Sequence, residues 1–201
     1  MTKHLSISFL CTMVEKLNSK AAKCIESGKF PEAIDCLTQA FQIYQEEGDR
    51  MHQENVPCKC RTCTLQGCLQ FSQESCIEKS IEETDEEGYI FRHPIRTTPH
   101  STRHSTGTLL PTVISFNLGL SYQLYAMRQD DDILFRRNLE KSLKYYGLAY
   151  NFASNLESSS LNFNIILANN IGMIHYAIGT KEKYERCLQF VLATLMYARS
   201  S

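Results

Sequence analysis

At Gly28-Lys29-Phe30-Pro31-Glu32-Ala33 the chain spells the end of one helix and the start of another. Gly28 can take the left-handed conformation that closes a helix. Pro31 and Glu32 suit a first helical turn, where a missing N–H costs nothing and the helix dipole favours a carboxylate. On the second helix Ala33, Leu37 and Ala40 share one face at i, i+4, i+7 spacing. Ahead of the turn Ala21 stands twelve residues before Ala33, with Cys24 three residues after it. The arrangement recurs twice. Leu118-Gly119, with Tyr122 three residues on, opens a second copy whose second helix offers Ser142, Tyr146 and Ala149. Ile171-Gly172 with His175 opens a third, which turns at Gly179 and continues through Tyr184, Leu188 and Val191. A small residue on the first helix lets the second approach its backbone, and the second then fills the space toward the next pair.

An apolar-Gly pair and an aromatic on one helix, then small, aromatic and small residues on the next, resembles the tetratricopeptide repeat family. Leu118, Gly119, Tyr122, Ser142, Tyr146 and Ala149 carry the resemblance, with Gly28, Ala33 and Ala40 in the first copy. No copy has the family's Trp, Ala21 replaces its usual Gly, and Tyr184 and Val191 stand at small-residue positions. The second copy also has extra residues between its helices, including Asp130-Asp131-Asp132, which read as a solvated loop. The expected fold is all-α: about three antiparallel helix-pair repeats, TPR-like, with a long irregular insert. Residues 5–49 form the first pair, residues 50–108 a flexible Cys-rich and acidic insert, and residues 109–201 the second and third pairs.

Composition fits a globular chain that needs neither disulfides nor metal to fold, with 43% hydrophobic residues over 201 positions. Lys and Arg total 21 against 22 Asp and Glu, so there is no basic field to gather nucleic acid or to anchor on anionic lipid. The nine Cys are an odd number without even spacing, and no Asn-x-Ser/Thr sequon occurs. Both argue against a secreted disulfide framework and for a reducing compartment, cytoplasmic or nuclear. Leu5 to Val14 after Lys3-His4 could imitate a signal peptide, but Ile7, Leu10, Val14 and Leu17 continue at helical spacing into Glu15 and Lys16. Two uncharged runs, 104–127 and 158–180, are long enough to cross a bilayer. The second holds Asn162, Asn164, Asn169, Asn170 and His175, which are costly in hydrocarbon, and insertion is not expected.

The helix near 110–127 is apolar all round and must be covered on both sides. Val113, Ile114, Leu118, Tyr122 and Tyr125 form one stripe; Phe116, Leu120, Leu124 and Met127 form another. If the repeats stack as the resemblance implies, the second stripe faces a concave groove together with Asn169, Met173, Tyr176 and Ala177 of the third repeat. Asn117 and Asn170 each directly precede their apolar-Gly pair. The resemblance implies that such Asn residues hold the backbone of a bound peptide; a bond to a neighbouring helix or loop is the plainer alternative. Of Lys and Arg, the stretches 18–26, 113–124 and 166–177 hold only Lys20 and Lys23, off the expected concave positions, so a clamp for an acidic C-terminal tail is not expected.

An internal candidate ligand precedes the second repeat. Gly88-Tyr89-Ile90-Phe91-Arg92-His93-Pro94-Ile95 alternates in character and holds a Pro that favours extension. Tyr89, Phe91, Pro94 and Ile95 could lie extended along the groove, Tyr89 and Phe91 among Phe116, Leu120 and Met173, with backbone bonds to Asn117 and Asn170; a plain linker is the alternative. Upstream, Cys58, Cys60, Cys63, Cys68 and Cys76 with His52 could ligate Zn, but only one C-x2-C pair exists and free thiols fit better. No phosphate loop, nucleophile elbow, H-E-x-x-H or dinucleotide fingerprint is present.

The expected function is a non-catalytic scaffold that binds a peptide or partner protein in the concave groove through Phe116, Asn117, Leu120, Leu124, Asn169, Asn170, Met173 and Tyr176, without a cofactor. A small Zn module and a structural subunit of a larger assembly are the alternatives. The last helix carries Leu188, Val191, Leu192, Leu195 and Met196, an apolar surface that a homodimer or the N-terminal helix could cover.

Overall fold

A computed structural model describes residues 7–53, 69–71, 90–97, 106–154 and 161–200. The described chain is all-α. Helices α1 (Ile7–Glu26) and α2 (Phe30–Gln53) are followed by two three-residue strands, β1 (Leu69–Phe71) and β2 (Ile95–Thr97). Then come α3 (Thr106–Ala126), α4 (Asp132–Ser154), α5 (Leu161–Ala177) and α6 (Lys181–Ser200). Each odd-numbered helix packs chiefly on the next, α1 on α2, α3 on α4 and α5 on α6. The first pair meets the second mainly through α2 and α3, and the second meets the third more sparsely through α4 and α5.

The turns follow from the residues that make them. Gly28 (φ +70°) closes α1: its N–H donates to Ile25 O at 3.0 Å and Lys29 N–H to Cys24 O at 2.8 Å. Gly179 (φ +76°) closes α5 in the same way, with Gly179 N–H on Tyr176 O and Thr180 N–H on His175 O. Both are two-bond caps that a positive-φ glycine makes without a Cβ penalty. The turn from α1 is locked to the second pair by Arg128, whose Nη1 donates to Gly28 O at 3.1 Å and whose guanidinium lies 4.7 Å over the Phe30 ring.

Two boundaries differ from those read off the sequence. α2 runs on to Gln53 and α3 begins at Thr106, so both helices extend into the stretch assigned to the insert. The Asp130-Asp131-Asp132 run is also not simply a solvated loop. Asp131 Oδ1 accepts the Leu134 N–H at 2.7 Å, an N-cap, and Asp132 is the first residue of α4. Most of the extra residues between the second pair's helices therefore lengthen α4.

α3 is the centre of the molecule. From Leu110 to Leu120 every residue is buried, which explains its lack of a polar face. Gly119 is where α4 comes closest: a Cβ there would sit 2.6 Å from Tyr146 Cδ1. Ser142, one turn earlier on α4, donates to Gly119 O at 2.7 Å. Aromatic pairs, Phe41 with Tyr145 and Tyr44 with Phe152, join α2 to α4 across the other face. Besides α4, α3 is covered by α2, by α1 and by residues 90–97.

Candidate binding groove

Residues 90–94 are extended, and Ile95–Thr97 form β2, which pairs antiparallel with β1 in the register Leu69↔Thr97, Gln70↔Arg96, Phe71↔Ile95. On its helix side this strap is held by two asparagine amides. Ile95 N–H donates to Asn117 Oδ1 at 2.8 Å, and Asn117 Nδ2 donates back to Ile95 O at 2.8 Å. Phe91 N–H donates to Asn170 Oδ1 at 2.9 Å, and Asn170 Nδ2 donates to Phe91 O at 3.0 Å. Each amide thus satisfies both backbone groups of one strap residue, accepting with its oxygen and donating with its nitrogen. The clasped residues are four apart, so in an extended chain their side chains point to the same side, about 13 Å apart.

Both amides are oriented from behind. Asn117 Nδ2 also donates to Asn18 Oδ1 on α1 at 2.8 Å, and Asn18 Nδ2 reaches toward Ile95 O at 3.4 Å. Asn170 Nδ2 also donates to the Tyr146 hydroxyl at 3.0 Å, which donates to Gln123 Oε1 at 2.8 Å. Gln123 Nε2 returns to Asn170 O at 3.3 Å. Asn18, Asn117, Gln123 and Asn170 are all buried. Burial pushes the Tyr146 phenol well above its ordinary range, so it stays a neutral donor at any physiological pH.

Side chains of the strap fill the rest of the groove. Ile95 is fully buried and Ile90 nearly so, and Pro94 is buried with no N–H to satisfy. Phe91 packs 6.5 Å from the Phe116 ring, which in turn contacts Tyr146 (5.5 Å) and Phe163 (5.7 Å). His93 stands edge-on to Phe91 at 5.6 Å; desolvation pushes its imidazole below the ordinary range, partly offset by Glu26. Arg96 Nη2 lies 2.6 and 2.7 Å from the two carboxylate oxygens of Glu26, at the end of α1. A carboxylate is disfavoured at a helix C-terminus, and here a cation from the strap neutralises it.

The structure divides the residues assigned to the groove. Phe116, Asn117, Leu120 and Asn170 come together as buried side chains in the core beneath the strap, with Phe91, Pro94 and Ile95 also buried or half-buried in it. Leu124 joins the core. Asn169 is half-buried, its Nδ2 a long 3.5 Å from Asn170 Oδ1. Met173 and Tyr176 instead line an open cavity of about 300 Å³ beside Ile90, with Gln123, Phe135 and Leu139. Tyr176 is 54% exposed and packs against Tyr184 at 5.4 Å. Tyr89 and the candidate thiols Cys58, Cys60, Cys63 and Cys68 lie outside the described residues.

Several contributors escaped the sequence: Asn18, Gln123, Glu26, Arg96 and the strand β1. Asn18 and Gln123 did carry a signal, a polar residue inside an apolar helical stripe, between Val14 and Ile25 and between Leu120 and Leu124. Elsewhere, α6 exposes Leu188, Leu192, Leu195 and Met196. The N-terminal helix, considered as a cover for that face, packs on α2, α3 and β2. No helix among the described residues is long and apolar enough to cross a membrane. Compared with models of protein families, with curated proteins and with solved structures, the chain matches none.

Proposed function

We propose that this protein is a non-catalytic protein–protein interaction scaffold of TPR-like construction, whose concave groove receives an extended polypeptide by its backbone. The observation that carries the proposal is the pair of clasps: Asn117 on α3 and Asn170 on α5 each bond the N–H and the C=O of a single extended residue. The two sit two residues before Gly119 and Gly172, at the same place in their repeats. A backbone clasp repeated in register on successive helix pairs suits any extended chain, while neighbouring pockets supply selectivity. In the chain itself the occupant is the strap at residues 90–97.

The test uses the full chain with Phe91→Ala and Ile95→Ala, which weakens the strap and leaves the groove residues in place. A labelled peptide with the sequence of residues 88–97 is titrated and followed by fluorescence anisotropy. Saturable binding in the micromolar range, with a rise in the variant's Tm on adding peptide, is the expected result. A variant with helical circular dichroism that shows no saturable binding rejects the groove as a peptide site.

A further inference from the structure

Given that reading of the groove, we propose that it selects one kind of partner segment, and that residues 90–96 are an internal copy of it. The partner is an extended peptide with an aromatic side chain at the Asn170 clasp. Four residues on, at the Asn117 clasp, comes a β-branched or similar aliphatic side chain, preceded by proline and followed at once by a cation. Each requirement has its own physical source. The residue at the Asn117 clasp enters a fully closed apolar site, since Ile95 has no exposed surface; a polar or charged side chain there would be desolvated without a partner. The preceding position is buried, and Pro94 brings no N–H into it. The following position meets Glu26, whose two oxygens already take Arg96 Nη2. At the other clasp Phe91 lies against Phe116, a ring itself braced by Tyr146 and Phe163.

The strap is tethered to α3 by the short run between Thr97 and Thr106. A ligand joined to its own groove by so short a length of chain has an effective concentration of about millimolar. A partner segment of the same pattern therefore competes against that concentration, and the groove answers a free peptide weakly until the strap is loosened. The strap sets a threshold rather than a permanent block, because the same clasps serve either chain.

The experiment compares peptides and chains. Peptides of residues 88–97 are made with the parent sequence, with Arg96→Glu, with Ile95→Asp and with Phe91→Ala. They are titrated into the Phe91→Ala/Ile95→Ala chain, with and without Glu26→Lys. Parent peptide is expected to bind tightest. Arg96→Glu weakens it about 5-fold, the scale of a partly exposed ion pair turned repulsive; Ile95→Asp weakens it roughly 30-fold or more. Glu26→Lys in the chain should reverse the order, favouring the Arg96→Glu peptide over the parent. Wild-type chain should bind the parent peptide at least about 10-fold more weakly than the loosened chain.

Equal binding of all four peptides overturns the selectivity and leaves the backbone groove standing, whereas binding of none overturns the groove itself. Equal affinity of wild-type and loosened chains removes the internal-competitor part. Where the loosened chain fails to fold, the peptides are added to wild type and displacement is read as faster hydrogen exchange at the strap's Phe91 and Ile95 amides. Exchange that no peptide accelerates then counts against the groove, and exchange accelerated alike by parent and Ile95→Asp peptides counts against the selectivity.

Discussion

Replacing Asn117 by Ala removes three buried hydrogen bonds at once: one accepted from Ile95 N–H, one donated to Ile95 O and one donated to Asn18 Oδ1. If the strap stays in place, Ile95 N–H and Asn18 Oδ1 lose these partners, and Ile95 O keeps the long contact from Asn18 Nδ2 at 3.4 Å. Each buried polar group left without a partner costs about 1–3 kcal/mol, so the loss of both would destabilise the docked strap by about 2–6 kcal/mol. The alternative is for the strap to lift off. That exposes Ile90 and Ile95, worth roughly 1.5–3 kcal/mol each, but returns about 1–2 kcal/mol of backbone entropy for each freed residue. The variant takes the cheaper course, and the free energy of strap opening should fall by about 2–4 kcal/mol. Hydrogen exchange measures that opening directly, at tenfold for each 1.4 kcal/mol. Ile95 N–H should exchange about 30- to 1000-fold faster, while amides in the middle of α2 change less than tenfold. If Tm falls but Ile95 and α2 amides accelerate together, Asn117 is an ordinary core residue rather than a clasp. If neither moves, its bonds to the strap contribute nothing.

Four further outcomes follow from the packing. Gly119→Ala places a methyl 2.6 Å from a Tyr146 ring held by two hydrogen bonds and by Phe116; overpacking outweighs the helix-propensity gain, and thermal unfolding should show a net loss of about 1–2 kcal/mol. Ser115 Oγ and Thr112 Oγ1 are buried on α3 with no partner among the described residues, so Ser115→Ala should be neutral or stabilise by up to about 1 kcal/mol in denaturant titration. Gly28→Ala forces a Cβ into φ +70° and should cost about 1 kcal/mol, a loss that chemical denaturation resolves. The imidazoles of His93 and His175 are both held below their ordinary range by burial. The unfolded chain therefore takes up protons first, and stability is complete above the ordinary imidazole range and lost as pH falls through it. Tm should drop between pH 7.5 and 5.5, about neutral and mildly acidic for imidazole, and drop less in a His93→Gln variant.

Periodic features were the ones legible in advance. The Gly28 and Gly179 turns, the close approach at Gly119 and the apolar girth of α3 rest on spacings of a few residues within one helix or one hairpin. Asn117 and Asn170 stood out because each sits at the same offset from an apolar-Gly pair. What escaped were groups whose meaning lies with a distant partner. Asn18 and Asn117 are 99 residues apart, Arg96 and Glu26 are 70 apart, and nothing near Leu69–Phe71 announces that it will pair with β2. Glu26 ends α1, where a carboxylate is disfavoured, and only the folded strap brings Arg96 to neutralise it. Asp131 looked like part of a solvated loop because its capping role depends on where α4 begins, and end positions are set by local backbone geometry rather than by apolar period.

Helical hairpins are written into this chain residue by residue: apolar spacing, a glycine able to turn left-handed, and a proline where no N–H is needed dictate them without reference to the rest of the molecule. Which hairpin faces which, and what lies in the hollow between them, was decided only when the chain closed on itself. An extended strap has no periodic apolar stripe and makes no bonds within itself, so its place depends on amides and rings contributed by α1, α3 and α5. Those side chains are scattered along the sequence, and only the packed helices bring them within hydrogen-bonding distance of one another.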